Sequence, residues 1–337
     1  MIRDAISTLV DRRDLTEEQA AACMEELMSG EATPAQVAAF LVALRMKGET
    51  VDEIVGLARV MREKSLRVEV DGSLLDTCGT GGDASGTFNV STAAAFVAAG
   101  AGARVAKHGN RAMSSACGSA DVLEALGGKI DLPPDGVARC IEQAGFGFMF
   151  AQSYHPAMKH VAPVRREIGV RTVFNILGPL TNPARAGHQV LGVADAATAE
   201  KLAAVLARLG TGHALVVHGE DGLDEVSVSS ATDVYEVHDG AVMRRRFELP
   251  ELGLTPHEAP ALRGGSPEQN AEALRRVLGG EPGPLRDFTL VNAAAALVAA
   301  DLAPDMKAGL SLAAQSIDGG AASERLAAWV RCSNQVQ

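Results

Sequence analysis

The stretch DTCGTGGDASGTFNVST, Asp76 to Thr92, sets glycines beside Asp83 and a run of hydroxyls in one loop. Gly79, Gly81 and Gly82 let main-chain N–H groups approach anionic oxygens without side-chain obstruction. Asn89-Val90-Ser91-Thr92 then opens a helix whose first N–H groups attract phosphate. The next apolar strand, ARVAK, ends on Lys107, a compact point charge. KHGNRAMSSACGSAD, Lys107 to Asp121, adds a second donor-rich loop with His108, Asn110, Arg111, Ser114, Ser115 and Ser119. It too ends at a helix start. Two such loops with lysine and arginine between them predict one anion-binding cleft, suited to a sugar phosphate or diphosphate.

Two other phosphate chemistries are excluded. Gly79-x-Gly81-x-x-Ala84 matches the dinucleotide pattern, but that cofactor needs a helix at the loop and an acidic residue ending the next strand. Here the loop runs on to Asn89, and the strand ends in Lys107. No G-K-[S/T] follows, so a P-loop is out. A third element, GEDGLDEVSVS, Gly219 to Ser229, puts Asp224 beside Glu225 after the strand ALVVH. On a loop both carboxylates can turn to one magnesium ion, which takes one or two carboxylates plus phosphate oxygens. Spacing alone favours a solvated acidic turn. A fourth element holds Arg165, Arg166 and Arg171 near His155, His160 and Asn175. Arg165 can clamp a carboxylate there, or belong to a basic helix face. His155 and His160, five apart, fit a helical zinc pair poorly and read as structural.

The rest of the chain must hold these loops in place. Capping boxes pair Thr16 with Gln19, Thr33 with Gln36, and Thr50 with Glu53. With apolar residues at helical spacing between them, residues 1–70 read as a thin bundle of four short helices. Such a bundle buries little alone and is expected to pack on the main domain, on a second subunit, or on both. From residue 71 short apolar strands alternate with helices. Expected strands are 74–77, 104–107, 146–150, 189–193, 214–218 and 234–237. Expected helices include 92–99, 120–126, 134–144, 196–209 and 267–278. This alternation predicts a larger α/β domain over 71–337 with a central, mostly parallel sheet. The segment 155–183 breaks the alternation and joins the helical domain. Flexible surface loops are expected within 262–284.

The bulk properties narrow the partners. Apolar residues make up 47% and charged residues 22% of 337, as in ordinary globular proteins. A net charge of -11 disfavours nucleic acid and anionic membrane surfaces. Five scattered cysteines without a C-x-x-C pair read as reduced thiols of a cytoplasmic protein. The most apolar runs are too short to span a bilayer.

The stretches GTGGD…TFNVST, VAKHGNRAMSS…GSADVLEALG, YHPAMKHVAPVRREIGVRTVFNILGPLTNPA and VVHGEDGLDE, in this order, resemble the anthranilate phosphoribosyltransferase family over nearly the whole chain. The resemblance implies magnesium-dependent transfer of phosphoribosyl from phosphoribosyl pyrophosphate (PRPP) to the amine of anthranilate, for tryptophan biosynthesis. It implies that PRPP lies against Gly79, Gly82, Asp83, Thr87, Asn89, Val90, Ser91, Thr92, Lys107, His108, Gly109, Asn110, Arg111, Ala112, Met113, Ser114, Ser115 and Ser119. Anthranilate would meet Gly79, Asn110 and Arg165; magnesium would meet Ser91, Asp224 and Glu225. Lys107, His108 and Asp83 would be catalytic, with His108 a proton acceptor after attack and Asp83 offsetting ring charge or ordering metal-bound water. A homodimer joined through the helical domain is also implied. The chain departs from the family at Ala84, where glycine is more common. The competing readings are a pyrimidine nucleoside phosphorylase, which has the same fold, and a non-catalytic nucleic-acid-binding relative.

Overall fold

A computed structural model of the chain describes residues 1–112 and 116–336. Its first four helices are α1 (Ile2–Val10), α2 (Glu17–Ser29), α3 (Pro34–Lys47) and α4 (Val51–Glu63). All three capping boxes form as the local sequence demands, and each satisfies two backbone donors that a helix start would otherwise expose.

Seven strands follow: β1 (Leu75–Gly79), β2 (Val105–Gly109), β3 (Phe146–Phe150), β4 (His188–Gly192), β5 (His213–Gly219), β6 (Thr232–His238) and β7 (Ala241–Phe247). They form one sheet in the order β3-β2-β1-β4-β5-β6-β7. The pairs from β3 through β5 are parallel, and β6 and β7 run antiparallel. The expected strands are all present, shifted by a residue or two at their ends. β7 was not expected. Its sequence AVMRRRF lies exposed at the sheet edge, with Arg244, Arg245 and Arg246 paired to Asp233, Glu236 and Glu220. Charge on an edge strand discourages further strand pairing.

Both faces of the sheet are buried, and side chains alternate between two cores. Leu215 and Val217 of β5 enter one core while Ala214 and Val216 enter the other. The first core also holds α5 (Val90–Gly100), α6 (Ser119–Ala125) and α7 (Pro134–Ala144). The segment after β3 contains α8 (Ala151–Tyr154), α9 (Ala162–Ile168) and α10 (Phe174–Leu177), followed beyond β4 by α11 (Ala196–Arg208). The second core joins α9, α10 and α11 to the N-terminal bundle. The bundle therefore packs on the main domain, and Arg208 of α11 is paired with Glu17 and Asp52 across the seam. The chain ends with α12 (Pro267–Leu278), α13 (Pro284–Ala299), α14 (Met306–Asp318) and α15 (Ala321–Gln335), all on the first core. Within 262–284 the expected helix forms as α12, with its own capping box from Ser266 and Gln269, so surface loops are confined to its two flanks. No helix is long and apolar enough to cross a membrane among the described residues.

Candidate active site

The chain leaves β1 toward β2 and β3 on one side of the sheet and later returns through β4 and β5 on the other. Open α/β sheets bind ligands in the crevice outside the strand carboxyl ends at such a reversal. The glycine loop leaves from there, and its Thr80 N–H donates to Gly192 O at the end of β4 (2.9 Å). Gly81 and Gly82 adopt left-handed φ values of 65° and 88°. Ala84 does so too, at 55°. A residue with a Cβ pays about 1–2 kcal/mol there, a cost that glycine would avoid.

The acidic loop after β5 folds back over the same point. Asp224 Oδ2 accepts the Gly81 N–H at 2.7 Å. The main chain of Asp224 crosses β4 so closely that a Cβ on Gly192 would lie 1.5 Å from its carbonyl oxygen. Gly192→Ala is therefore expected to push this loop off the sheet and lower stability by about 1–3 kcal/mol. Urea unfolding measures it, and a loss below about 0.5 kcal/mol would mean that the loop yields freely.

Beneath the loops lies the Lys107 ammonium, 1% exposed. It donates to Thr77 O and stands 3.4 Å from Thr77 Oγ1 and 3.3 Å from Ser91 Oγ. Burial lowers its pKa, and the carboxylates of Asp76 and Glu225 act against that. Glu225 is raised well above the usual carboxylate range by burial and then by Asp224. Asp224 is pushed up to about 6 by burial and then by Asp83. A small cavity among these groups is lined by Thr77, Ser91 and Glu225. These carboxylates oppose one another's ionisation, so a divalent cation suits the place. Among the described residues Asp83, Asp224 and Glu225 do not close into a three-ligand cage. That open arrangement fits magnesium, which keeps positions for water and phosphate oxygens.

The other expected residues are distributed as follows. Asp83 accepts from the N–H (3.3 Å) and the hydroxyl of Ser85, whose Oγ also reaches Thr87 Oγ1 at 3.2 Å. Asn89 makes no side-chain cap to α5. It donates instead to Cys117 O (3.1 Å) and accepts from Asn270 (2.8 Å), tying the two loops to α12. The Val90 side chain is buried in the core, and Thr92 Oγ1 is buried without a hydrogen-bond partner. Gly109 ends β2 against Ser119, whose Oγ donates to Asn110 O (3.3 Å). Asn110 Oδ1 accepts from the Arg111 N–H at 2.8 Å and from Gln152 at 3.3 Å. Met113, Ser114 and Ser115 lie outside the described residues. Arg165 of α9 stacks over Phe174 at 5.1 Å and has no ion-pair partner among the described residues. Burial lowers its pKa.

Two expectations need correction. Arg111 does not face the cleft as a free cation: it is paired with Asp121 (3.0 Å) and Glu124 and lies over the Phe150 ring. The Ala112 N–H is likewise taken, by Asp121 Oδ2 at 2.9 Å. His108 does not offer a free basic nitrogen. Its Nδ1 lies 3.2 Å from Gly178 O, and a carbonyl only accepts, so Nδ1 carries the proton. Its Nε2 then accepts from His155 Nε2, also at 3.2 Å. Burial lowers the His108 pKa to about 3, too weak a base for proton transfer near neutrality.

Two positioning residues, Asp76 and Asn182, escaped sequence reasoning, and a third, Arg171, was noted only as part of the basic segment. Asp76, fully buried, accepts from the His108 N–H (3.2 Å) and from Asn182 Nδ2 (2.8 Å), so it clamps β1 to β2. Asn182 also donates to Ala106 O at 2.8 Å. Arg171 donates to Thr80 O and Gly81 O at 3.3 and 3.0 Å, closing the glycine loop from the crossing segment. An aspartate directly after the apolar pair Leu74-Leu75 was the one visible signal.

Known proteins share this fold. A family model described as glycosyl transferase family, a/b domain, matches residues 71–323, and the family's helical bundle domain matches residues 3–65. An anthranilate phosphoribosyltransferase of Chloroflexus aurantiacus is 62% identical over 327 residues, spanning 96% of each chain. The crystal structure of the Thermus thermophilus anthranilate phosphoribosyltransferase is 47% identical, covers 98% of this chain and 99% of its own, and superposes with a TM-score of 0.93. The Saccharomyces cerevisiae enzyme in complex with PRPP and Mg is 29% identical, covers 99% of this chain and 98% of its own, and has a TM-score of 0.91. Matched along nearly its whole length in sequence and in fold, the chain belongs to the anthranilate phosphoribosyltransferases of the glycosyl transferase family.

Proposed function

We propose that this chain transfers the phosphoribosyl group of PRPP to the amine of anthranilate, giving N-(5-phosphoribosyl)anthranilate and diphosphate for tryptophan biosynthesis. The observation that carries the reading is the buried Lys107 ammonium, 3.3 Å from Ser91 Oγ and within the field of Glu225, which in turn lies beside Asp224, at the strand-order reversal. A nucleoside phosphorylase has no use for that acidic pair, and the net charge of -11 opposes a nucleic-acid role.

In this reading the diphosphate lies against Gly79, Gly82 and the start of α5, with Lys107 beneath it. Breaking the bond from ribose C1 to the diphosphate oxygen puts positive charge on the sugar and negative charge on the leaving group. Lys107 and the loop N–H groups stabilise the second charge where it develops, in a site shielded from water. Ser91, Asp224 and Glu225 would hold magnesium, which supplies charge neutralisation to the diphosphate oxygens when bound. Asp83, close enough to raise the Asp224 pKa, faces the developing charge of the sugar. The anthranilate amine is already a neutral nucleophile, so the protein's task is positioning. His108, neutral and hydrogen-bonded at both nitrogens, holds the loop end instead of moving the proton.

Arg165 receives the anthranilate carboxylate, and Asn110 flanks the ring. Support comes from the absence of an ion-pair partner for Arg165 among the described residues, in a half-buried position where an unpaired cation is costly. Arg165→Ala is expected to raise the KM for anthranilate about 10- to 100-fold with little change for PRPP. Steady-state kinetics with each substrate varied separates the two, and equal effects on both would remove this assignment.

The helical unit, 1–70 joined by part of 155–183, and the α/β unit, 71–337, form the two walls of the cleft. Two copies join through the helical unit, where Val10 of α1 and Met46 of α3 are 67% and 71% exposed. Five free thiols suit a reducing cytoplasm. The test of the activity is to mix the purified chain with anthranilate, PRPP and magnesium and follow anthranilate fluorescence. Decay that needs all three components supports the reading; no decay with folded protein overturns it.

A further inference from the structure

At the opposite end of the sheet, His188 of β4, His213 of β5 and His238 of β6 stand in register on three adjacent strands. Asp301, just beyond α13, reaches the same corner. Its Oδ1 lies 2.7 Å from His213 Nδ1, and its Oδ2 lies 3.7 Å from His188 Nδ1. The rings of His213 and His238 are 4.6 Å apart. One ligand atom from each of His213, His238 and Asp301 lies within 4.8 Å of the other two, and no other histidine, cysteine or acidic group does this among the described residues. The far side of the His213 ring has a waiting carboxylate. His213 is 5% exposed, and its Nε2 is buried with no hydrogen bond, although Glu236 Oε1 lies 3.3 Å away.

We propose that His213, His238 and Asp301 bind a transition-metal ion of the zinc type, separate from the magnesium of the catalytic cleft. Two imidazoles and one carboxylate suit zinc, with water as the fourth ligand, and are a poor set for magnesium. His213 offers Nδ1 to the ion. Its Nε2–H then turns to Glu236, giving the carboxylate–histidine–metal arrangement that fixes the ring tautomer. Tetrahedral ligands at zinc sit about 3.4 Å apart, given metal–ligand bonds of about 2.0–2.1 Å. The 2.7 Å gap between His213 Nδ1 and Asp301 Oδ1 must therefore widen slightly, and Asp301, 55% exposed, has room to move. His238 is on the surface, so the ion enters without unfolding the sheet. The site lies about 20 Å from the cleft along β5, so its role is to pin the β5–β6 corner to the chain between α13 and α14.

The test is equilibrium dialysis of the full chain against zinc ions in excess magnesium. The wild type is expected to retain one equivalent, with affinity at least tenfold lower in His238→Ala and in Asp301→Asn. Zinc is also expected to raise the melting temperature of the wild type and not of His238→Ala, while transferase activity without zinc is the same in both. Cobalt in place of zinc should give visible bands without thiolate charge-transfer absorption. No retained zinc, equal retention in both variants, or a thiolate band would each overturn the proposal.

Discussion

Lys107→Met is expected to lower kcat/KM for PRPP by about 10²–10³-fold, the usual loss when one preorganised electrostatic contact to a developing charge is removed. Methionine keeps the length and apolar stem of the side chain but deletes the ammonium that donates to Thr77 O and approaches Ser91 Oγ. Because the group is 1% exposed, no water takes its place, and the deficit falls on the departing diphosphate. The KM for anthranilate should hardly change, since its binding is assigned to Arg165 and Asn110. Lys107 also acts as counter-charge to the buried Asp76, so the variant is expected to lose stability as well. Assays at a temperature where its far-ultraviolet dichroism remains native separate the two effects. Activity within threefold of wild type would reduce Lys107 to a structural partner of Asp76.

What could be read from the sequence was local, and what could not was set by topology. The capping boxes of Thr16, Thr33 and Thr50 each lie within one helical turn, so the residues that make them announce them. The parallel strands were visible as short apolar runs because both of their faces are buried. β7 was invisible for the opposite reason: its outward row of arginines has neither alternation nor apolar character. At the candidate site, the glycine loop, Lys107 and the acidic pair are chemically distinctive, so the sequence alone singles them out. Their arrangement was not, because it depends on residues far apart in the chain. Asp224 reaches Gly81 only because β4 and β5 bring its loop back over the sheet centre. Arg111 resembled a phosphate ligand until α6 folded Asp121 and Glu124 beneath it. His108 resembled a base until the crossing segment laid His155 and Gly178 against it.

That last pairing predicts acid sensitivity. His108 and His155 are 7% and 4% exposed, and burial lowers their pKa values to about 3 and about 4 from an ordinary value near 6.5. The folded state therefore keeps both rings neutral at pH 5, while the unfolded chain protonates both. A depressed folded pKa means that the stabilisation is present above pH 6.5 and is lost as pH falls toward 4. Linkage gives a loss of about 2 kcal/mol per histidine between pH 7 and pH 5. In His155→Gln the side-chain amide can still donate to His108 Nε2, yet one titrating group is gone. Its loss over the same interval should be about 2 kcal/mol smaller than that of the wild type, as measured by urea unfolding at both pH values. Equal losses would mean that His155 is hydrated and titrates normally in the folded protein. The same neutrality bears on catalysis: a ring that stays unprotonated throughout this range contributes no ionisation to the pH–rate profile. A kcat limb near pH 6.5 that disappears in His108→Gln would restore His108 as the proton acceptor.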